Sequence, residues 1–177
     1  MPRTVLLNPG PVNVTDKVRQ ALMLPDLCHR EKEFSDLMAA IRAKLLKAFD
    51  IEEHYTSVLV SGSGTAALEM AVSSSLSPER SMLVIENGVY GERIGKLCDI
   101  YQFKRHTLKL GWGELPNLEK IENILKQNPD IEVVSLVHHE TTTGLLNPLK
   151  EVGELARRYK KIFLVDAISS LAGDEVD

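Results

Sequence analysis

The stretch "LVSGSGTAALEMAV", Leu59–Val72, decides how the rest of the chain is read. β-favouring residues over Ser57–Val60 run into Ser61-Gly62-Ser63-Gly64-Thr65, and good helix formers follow from Ala66. That order predicts a strand, a tight turn and a helix over Ala66–Leu76. Glycines let the backbone turn sharply and approach a ligand closely. A helix start offers unpaired N–H groups and the positive end of a dipole, and the hydroxyls of Ser63 and Thr65 add donors. Such a combination suits a phosphate group. It is neither the GxxxxGK[ST] loop, because no lysine follows, nor GxGxxG. A plain strand-to-helix turn with Thr65 as N-cap fits the same residues. Spacing alone leaves both readings open.

Outward from this junction, strands and helices alternate. Apolar runs at Met82–Ile85, Ile131–Val137 and Ile162–Val165 read as further strands. They are continuous rather than alternating, as in strands covered on both faces. Helical periodicity marks Tyr90–Ile100, Leu118–Gln127 and Leu149–Tyr159, the last with Leu149, Val152, Leu155, Ala156 and Tyr159 on one stripe. The expected fold is α/β, a three-layer sandwich around a mostly parallel sheet with right-handed crossovers. Upstream, Asn8–Val18 holds two prolines and a glycine and reads as an extended loop, with Thr15 or Asp16 capping the next helix. Phe34–Phe49 reads as a long amphipathic helix. The expected organisation is an N-terminal extended segment over residues 1–20 and part of one large domain over 21–177.

The 177 residues are 44% hydrophobic and 26% charged, the balance of an ordinary globular domain. A net charge of −4 with no basic cluster argues against nucleic-acid binding. Cys28 and Cys98 are far apart and in no CxxC spacing, which suggests a reduced setting rather than a disulfide scaffold. Met1–Gly10 lacks the pattern of a signal peptide, and no apolar run is long enough to span a membrane. A cytoplasmic protein without membrane or nucleic-acid partners is expected.

Three further clusters follow strands. Asp166 ends the run "IFLV", so a carboxylate stands at the carboxyl end of a strand, where α/β folds place their chemistry. Semi-buried and alone it would be costly, so a cation, a metal or several donors should face it; a simple loop cap is the competing reading. "HHETTTG", His138–Gly144, is a hydroxyl-lined loop at the same sheet edge. Adjacent histidines on an extended chain point to opposite faces, and no HExxH-like partner set accompanies His138, His139 and Glu140; a metal is not expected. "NGVYGER", Asn87–Arg93, flanks Tyr90 with glycines and could present a flat aromatic face, although packing alone explains a lone tyrosine. No GxSxG elbow accompanies the serines.

Taken in order, "LLNPGPV", "YTSVLVSGSGTAALE", "ENGVYGER", "HHETTTGLLNP" and "LVDAISSLAG" make the chain resemble the amino-terminal half of a class V aminotransferase of fold type I. "ETTTG" and "TSVLVSGSGT" favour the 2-aminoethylphosphonate–pyruvate branch over the alanine–glyoxylate and serine–pyruvate branches. The resemblance implies pyridoxal 5′-phosphate as cofactor. It also implies a role for each matching residue: Ser63, Gly64 and Thr65 at the phosphate, Tyr90 stacked on the ring, Thr141 near the ring oxygen and Asp166 at the pyridinium nitrogen. An aspartate has an unperturbed pKa of about 3.9, so Asp166 facing a cation is expected to be anionic. The backbone of Gly10 is implied as a contact for a substrate acid group.

The same resemblance implies an amino donor and a keto acid as partners, with homodimerisation. For the phosphonate branch, 2-aminoethylphosphonate becomes phosphonoacetaldehyde while pyruvate becomes alanine. In such enzymes a lysine forms a Schiff base with the cofactor and moves a proton during transfer. No lysine of this chain occupies the matching position, and the carboxyl-terminal small domain of relatives has no counterpart in it. The chain is therefore expected not to transaminate alone. A non-catalytic protein that only binds cofactor or dimerises is the alternative of another class.

Overall fold

The computed structural model describes residues 4–174; residues 1–3 and 175–177, the outer ends of the two terminal stretches read above, lie outside it. Two compact units divide within the glycine-serine loop, Met1–Ser61 and Gly62–Asp177.

In the first unit, Thr15 caps α1 (Asp16–Ala21) by accepting from Val18 N–H. α2 (Lys32–Ala48) is the long amphipathic helix, and none of its residues is buried. The segment Ser57–Val60, expected as a strand, forms no regular element and has no ladder partner among the described residues. Val58 is 81% exposed. Strand-favouring composition does not make a strand without a neighbour to complete its hydrogen bonds.

The second unit holds α3 (Gly64–Ser74), β1 (Ser81–Glu86), α4 (Val89–Ile100), β2 (Lys104–Lys109), α5 (Leu118–Gln127), β3 (Ile131–Val137), β4 (His139–Glu140), β5 (Leu145–Leu146), α6 (Leu149–Arg158) and β6 (Ile162–Asp166). Four strands form a parallel sheet in the order β2-β1-β3-β6. β1 is buried along its whole length. Its alternate residues feed opposite layers, as strand geometry requires. Leu83 and Ile85 join α5 and α6 on one face; Met82 and Val84 join Leu68, Val72, Ile94, Leu97 and Cys98 of α3 and α4 on the other. The result is the expected three-layer sandwich.

Three elements were not expected. β2 carries only one buried residue, Leu108, among Lys104, Arg105, His106, Thr107 and Lys109, so no apolar run announces it. It is an edge strand, where charge is tolerated and blocks further pairing. Its Arg105 pairs with Asp99 and with the buried Glu86. β4 and β5 turn the threonine loop into a short antiparallel hairpin, closed by Gly144 at φ 73° with its N–H on the Glu140 carbonyl. Glycine adopts that left-handed conformation without strain.

α4 packs so closely on β1 that a β-carbon at Gly91 would lie 2.7 Å from the Ile85 carbonyl oxygen and 3.1 Å from Glu86 Cα. Both are backbone atoms and cannot swing away. Gly91→Ala should lower stability by about 1–3 kcal/mol, the usual range for overpacking, as read from the urea midpoint at unchanged m-value.

Candidate functional site

The strand order reverses direction at β1, which leads to β2 on one side and to β3 on the other. Ligands of open α/β sheets bind beyond the carboxyl ends of strands at such a switch point. Here Gly64, Thr65, Leu68, Tyr90, Arg93, Asp166 and Ile168 line a cavity of about 190 Å³. It draws on the first turn of α3, the first turns of α4 and the end of β6, all within the second unit.

At the α3 end, Ser63 is the N-cap, its Oγ accepting from Ala66 N–H at 3.2 Å. This corrects the N-cap expectation for Thr65, which lies inside the helix. The amides of Gly64 and Thr65, at the first two helical positions, have no intrahelical acceptor. The Ser63 hydroxyl, having accepted one bond, keeps its own proton to donate. A β-carbon on Gly64 would come within 2.6 Å of Ile168 Cδ1, so glycine keeps the space between α3 and the β6 loop open. The Thr65 hydroxyl accepts from Arg93 Nη1 at 3.0 Å.

Arg93 was not singled out from the sequence, yet it brings positive charge to the cavity lining. Its Cζ stands 4.8 Å from the Tyr90 ring centroid, a cation–π contact. The available signal was spacing: residues three apart on a helix are neighbours, and Tyr90 and Arg93 are three apart.

Asp166 is 7% exposed. Its Oδ1 accepts from Ile168 N–H at 3.1 Å, so the competing reading as a loop cap is also realised. Burial pushes its carboxyl above the usual aspartate range. The Ile168 amide and Arg93 act in the opposite direction, and Glu140 adds to the rise. Burial thus works against the ionised form of Asp166. A cation on the cavity side would reverse that balance.

Glu140 is fully buried. Its Oε2 accepts from the backbone N–H groups of Tyr90 at 3.0 Å and Gly91 at 3.2 Å, and its Oε1 from the Thr142 hydroxyl at 2.5 Å. His138 is buried with Nδ1 3.0 Å from Ser170 Oγ, and burial lowers its pKa, so it is neutral near pH 7. Asn87 and Asn147, both buried, pair side chain to side chain at 2.8 Å and tie the loops after β1 and β5 together. Thr141 is half-buried just past β4 and is not among the residues lining the cavity. Gly10 belongs to the first unit, in the loop before α1. Of the residues expected at the site, the cavity thus unites Gly64, Thr65, Tyr90 and Asp166, with Ser63 adjoining in sequence.

The model of the aminotransferase class V family matches residues 17–177. The chain belongs to this family. It is 43% identical over 174 residues to the bifunctional phosphonoacetaldehyde hydrolase/aminoethylphosphonate transaminase of Clostridioides difficile, covering 98% of this chain and 27% of that one. It is 39% identical to the 2-aminoethylphosphonate–pyruvate transaminase of Vibrio vulnificus, covering 98% of this chain and 47% of that one. Among solved structures, alanine–glyoxylate aminotransferase from a Nostoc species superposes with a TM-score of 0.89 at 33% identity, over 99% of this chain and 46% of that one. The class V chain thus spans about half the length, or less, of these relatives.

Class V aminotransferases depend on pyridoxal 5′-phosphate, and the residues present fit that group. The α3 start and Arg93 suit a phosphate. Tyr90 suits a flat ring, and a buried carboxylate with a raised pKa suits a ring cation.

Proposed function

We propose that this chain supplies the pyridoxal 5′-phosphate site of an enzyme that transfers the amino group of 2-aminoethylphosphonate to pyruvate, giving phosphonoacetaldehyde and alanine. The convergence of Thr65, Tyr90, Arg93 and Asp166 on one cavity carries the cofactor part of the reading. The names of the Clostridioides and Vibrio relatives support the substrate part.

The residues divide the work by their chemistry. Ser63, Gly64 and Thr65 would hold the phosphate with backbone and hydroxyl donors at the positive end of α3. Tyr90 would stack on the ring; Thr141, outside the cavity lining, is assigned to the ring oxygen by the family resemblance alone. Asp166 would keep a proton on the ring nitrogen, because its own ionisation, disfavoured by burial, becomes favourable beside a cation. When bound, the cofactor supplies an electron sink for the substrate carbon that loses a proton. Gly10 is proposed as a backbone contact for the substrate's acid group. Homodimerisation of the whole protein is also proposed, supported by the exposed apolar row Leu37, Ile41 and Leu45 along α2; sedimentation measures it.

Spectrophotometric titration with pyridoxal 5′-phosphate tests the site. Saturable binding lost in a Thr65→Ala/Tyr90→Ala variant is the expected result. Initial rates of the whole protein test the substrates, with 2-aminoethylphosphonate, alanine or serine as donor and pyruvate or glyoxylate as acceptor. Faster transfer from alanine to glyoxylate, with none from 2-aminoethylphosphonate, would overturn the phosphonate reading.

A further inference from the structure

α4 begins without a cap of its own. Its N-cap is Gly88, which has no side chain, and the carboxamide of the preceding Asn87 is bound to Glu114 and Asn147 instead of to the first amides. Helix starts otherwise leave these N–H groups without acceptors. The acceptor comes instead from Glu140, 50 residues away in sequence, whose carboxylate binds Tyr90 N–H and Gly91 N–H. The fit is tight. A β-carbon on Gly88 would stand 2.2 Å from Glu140 Cγ and 2.3 Å from Cδ. Thr142 fixes the carboxylate from the other side, and its hydroxyl in turn accepts from Val89 N–H at 3.3 Å.

We infer that Glu140 is a positioning residue, whose buried carboxylate clamps the backbone of Tyr90 and so sets where its ring lies in the cavity. A single acceptor on two successive amides fixes both position and rotation of the first turn of α4. Tyr90 is one of the bound residues, and Arg93 lies within the next turn. A negative group at a helix start also gains from the dipole, which helps to offset burying the charge. The inference rests on the proposed reading of the cavity as a pyridoxal 5′-phosphate site.

A double-mutant cycle on the 177-residue chain tests it. The probe is pyridoxal 5′-phosphate and the readout its dissociation constant. Glu140→Gln keeps the shape but removes the charge and one acceptor. It should weaken binding about tenfold, within the range for a hydrogen bond to a charged group. In a Tyr90→Ala background the same change should alter binding by less than about twofold, because no ring remains to be placed. Hydrogen exchange without ligand gives a second readout: Tyr90 and Gly91 amides should lose protection in Glu140→Gln while Ile94 keeps its own. Equal losses of affinity in both backgrounds, or unchanged protection at Tyr90 and Gly91, overturn the inference and leave the site reading intact. If the wild-type chain does not bind pyridoxal 5′-phosphate at all, both fall together.

Discussion

Asp166→Asn should weaken pyridoxal 5′-phosphate binding by roughly a hundredfold, about 3 kcal/mol, while leaving the ligand-free protein as stable as the wild type or more so at pH 7. The two effects share one cause. Asn keeps an oxygen for Ile168 N–H, so the loop after β6 retains its bond. It removes a carboxylate that burial makes reluctant to ionise, and with it the partner for a protonated ring nitrogen. The sign of the pH dependence follows. The folded pKa of Asp166 lies above its unfolded value, so the folded state binds the proton more tightly. Its contribution to stability is present at low pH and lost as pH rises from the unfolded value of about 3.9 through the raised folded one. Thermal melts against pH should therefore show the wild type losing ground to Asp166→Asn above pH 4. Ligand affinity should move the opposite way, rising as Asp166 ionises. A ligand-free Asp166→Asn protein that melts well below the wild type at pH 7 would contradict this account.

Ile94→Ala should cost about 2–5 kcal/mol, with a melting temperature lower by roughly 4–20 °C. Ile94 is 0% exposed and sits with Met82, Val84, Leu97 and Val133 in the layer between α4 and the sheet. Truncation leaves a cavity that neighbouring strands, hydrogen-bonded on both sides, cannot close. Ile94 also follows Arg93 directly, so a loosened α4 moves the cation that lines the site. Calorimetry reads the first effect, and pyridoxal 5′-phosphate titration below the variant's melting range reads the second. Loss of stability without any change in ligand affinity would mean that the first turn of α4 is held from its other end.

The parts of the fold legible in the sequence are those where burial is two-sided. β1 and β3 are mostly apolar because helices cover both faces, and α6 shows its stripe because only one face is covered; β6 keeps the apolar run Ile162–Val165 although it ends the sheet and only Leu164 and Asp166 of it are buried. β2 was hidden because an edge strand needs little apolar surface, and its length is filled with charge. Ser57–Val60 misled for the opposite reason, having the composition of a strand but no neighbour. At the site, Asp166, Tyr90 and the glycine-serine turn stood out because each breaks the pattern around it. Arg93 and Glu140 did not, since a charged residue on a helix or in a polar loop usually faces water. Their roles come from partners far away in sequence, Thr65 for Arg93 and Tyr90 for Glu140, and no local pattern records those partners. The raised pKa of Asp166 was likewise invisible, because it depends on how completely the folded chain excludes solvent.

The borrowed cap on α4 also has a consequence for the order in which the molecule assembles. Three helices, α1, α3 and α5, start on a residue close at hand, Thr15, Ser63 and Asn117, and can begin to form as soon as their own stretch of chain exists. α4 has to wait. Its opening turn is satisfied only once residues up to Thr142 have emerged and β3 has brought Glu140 alongside β1. Contacts between distant parts of a chain are slow to form. The aromatic wall of the cavity is therefore completed only after the central strands have found each other.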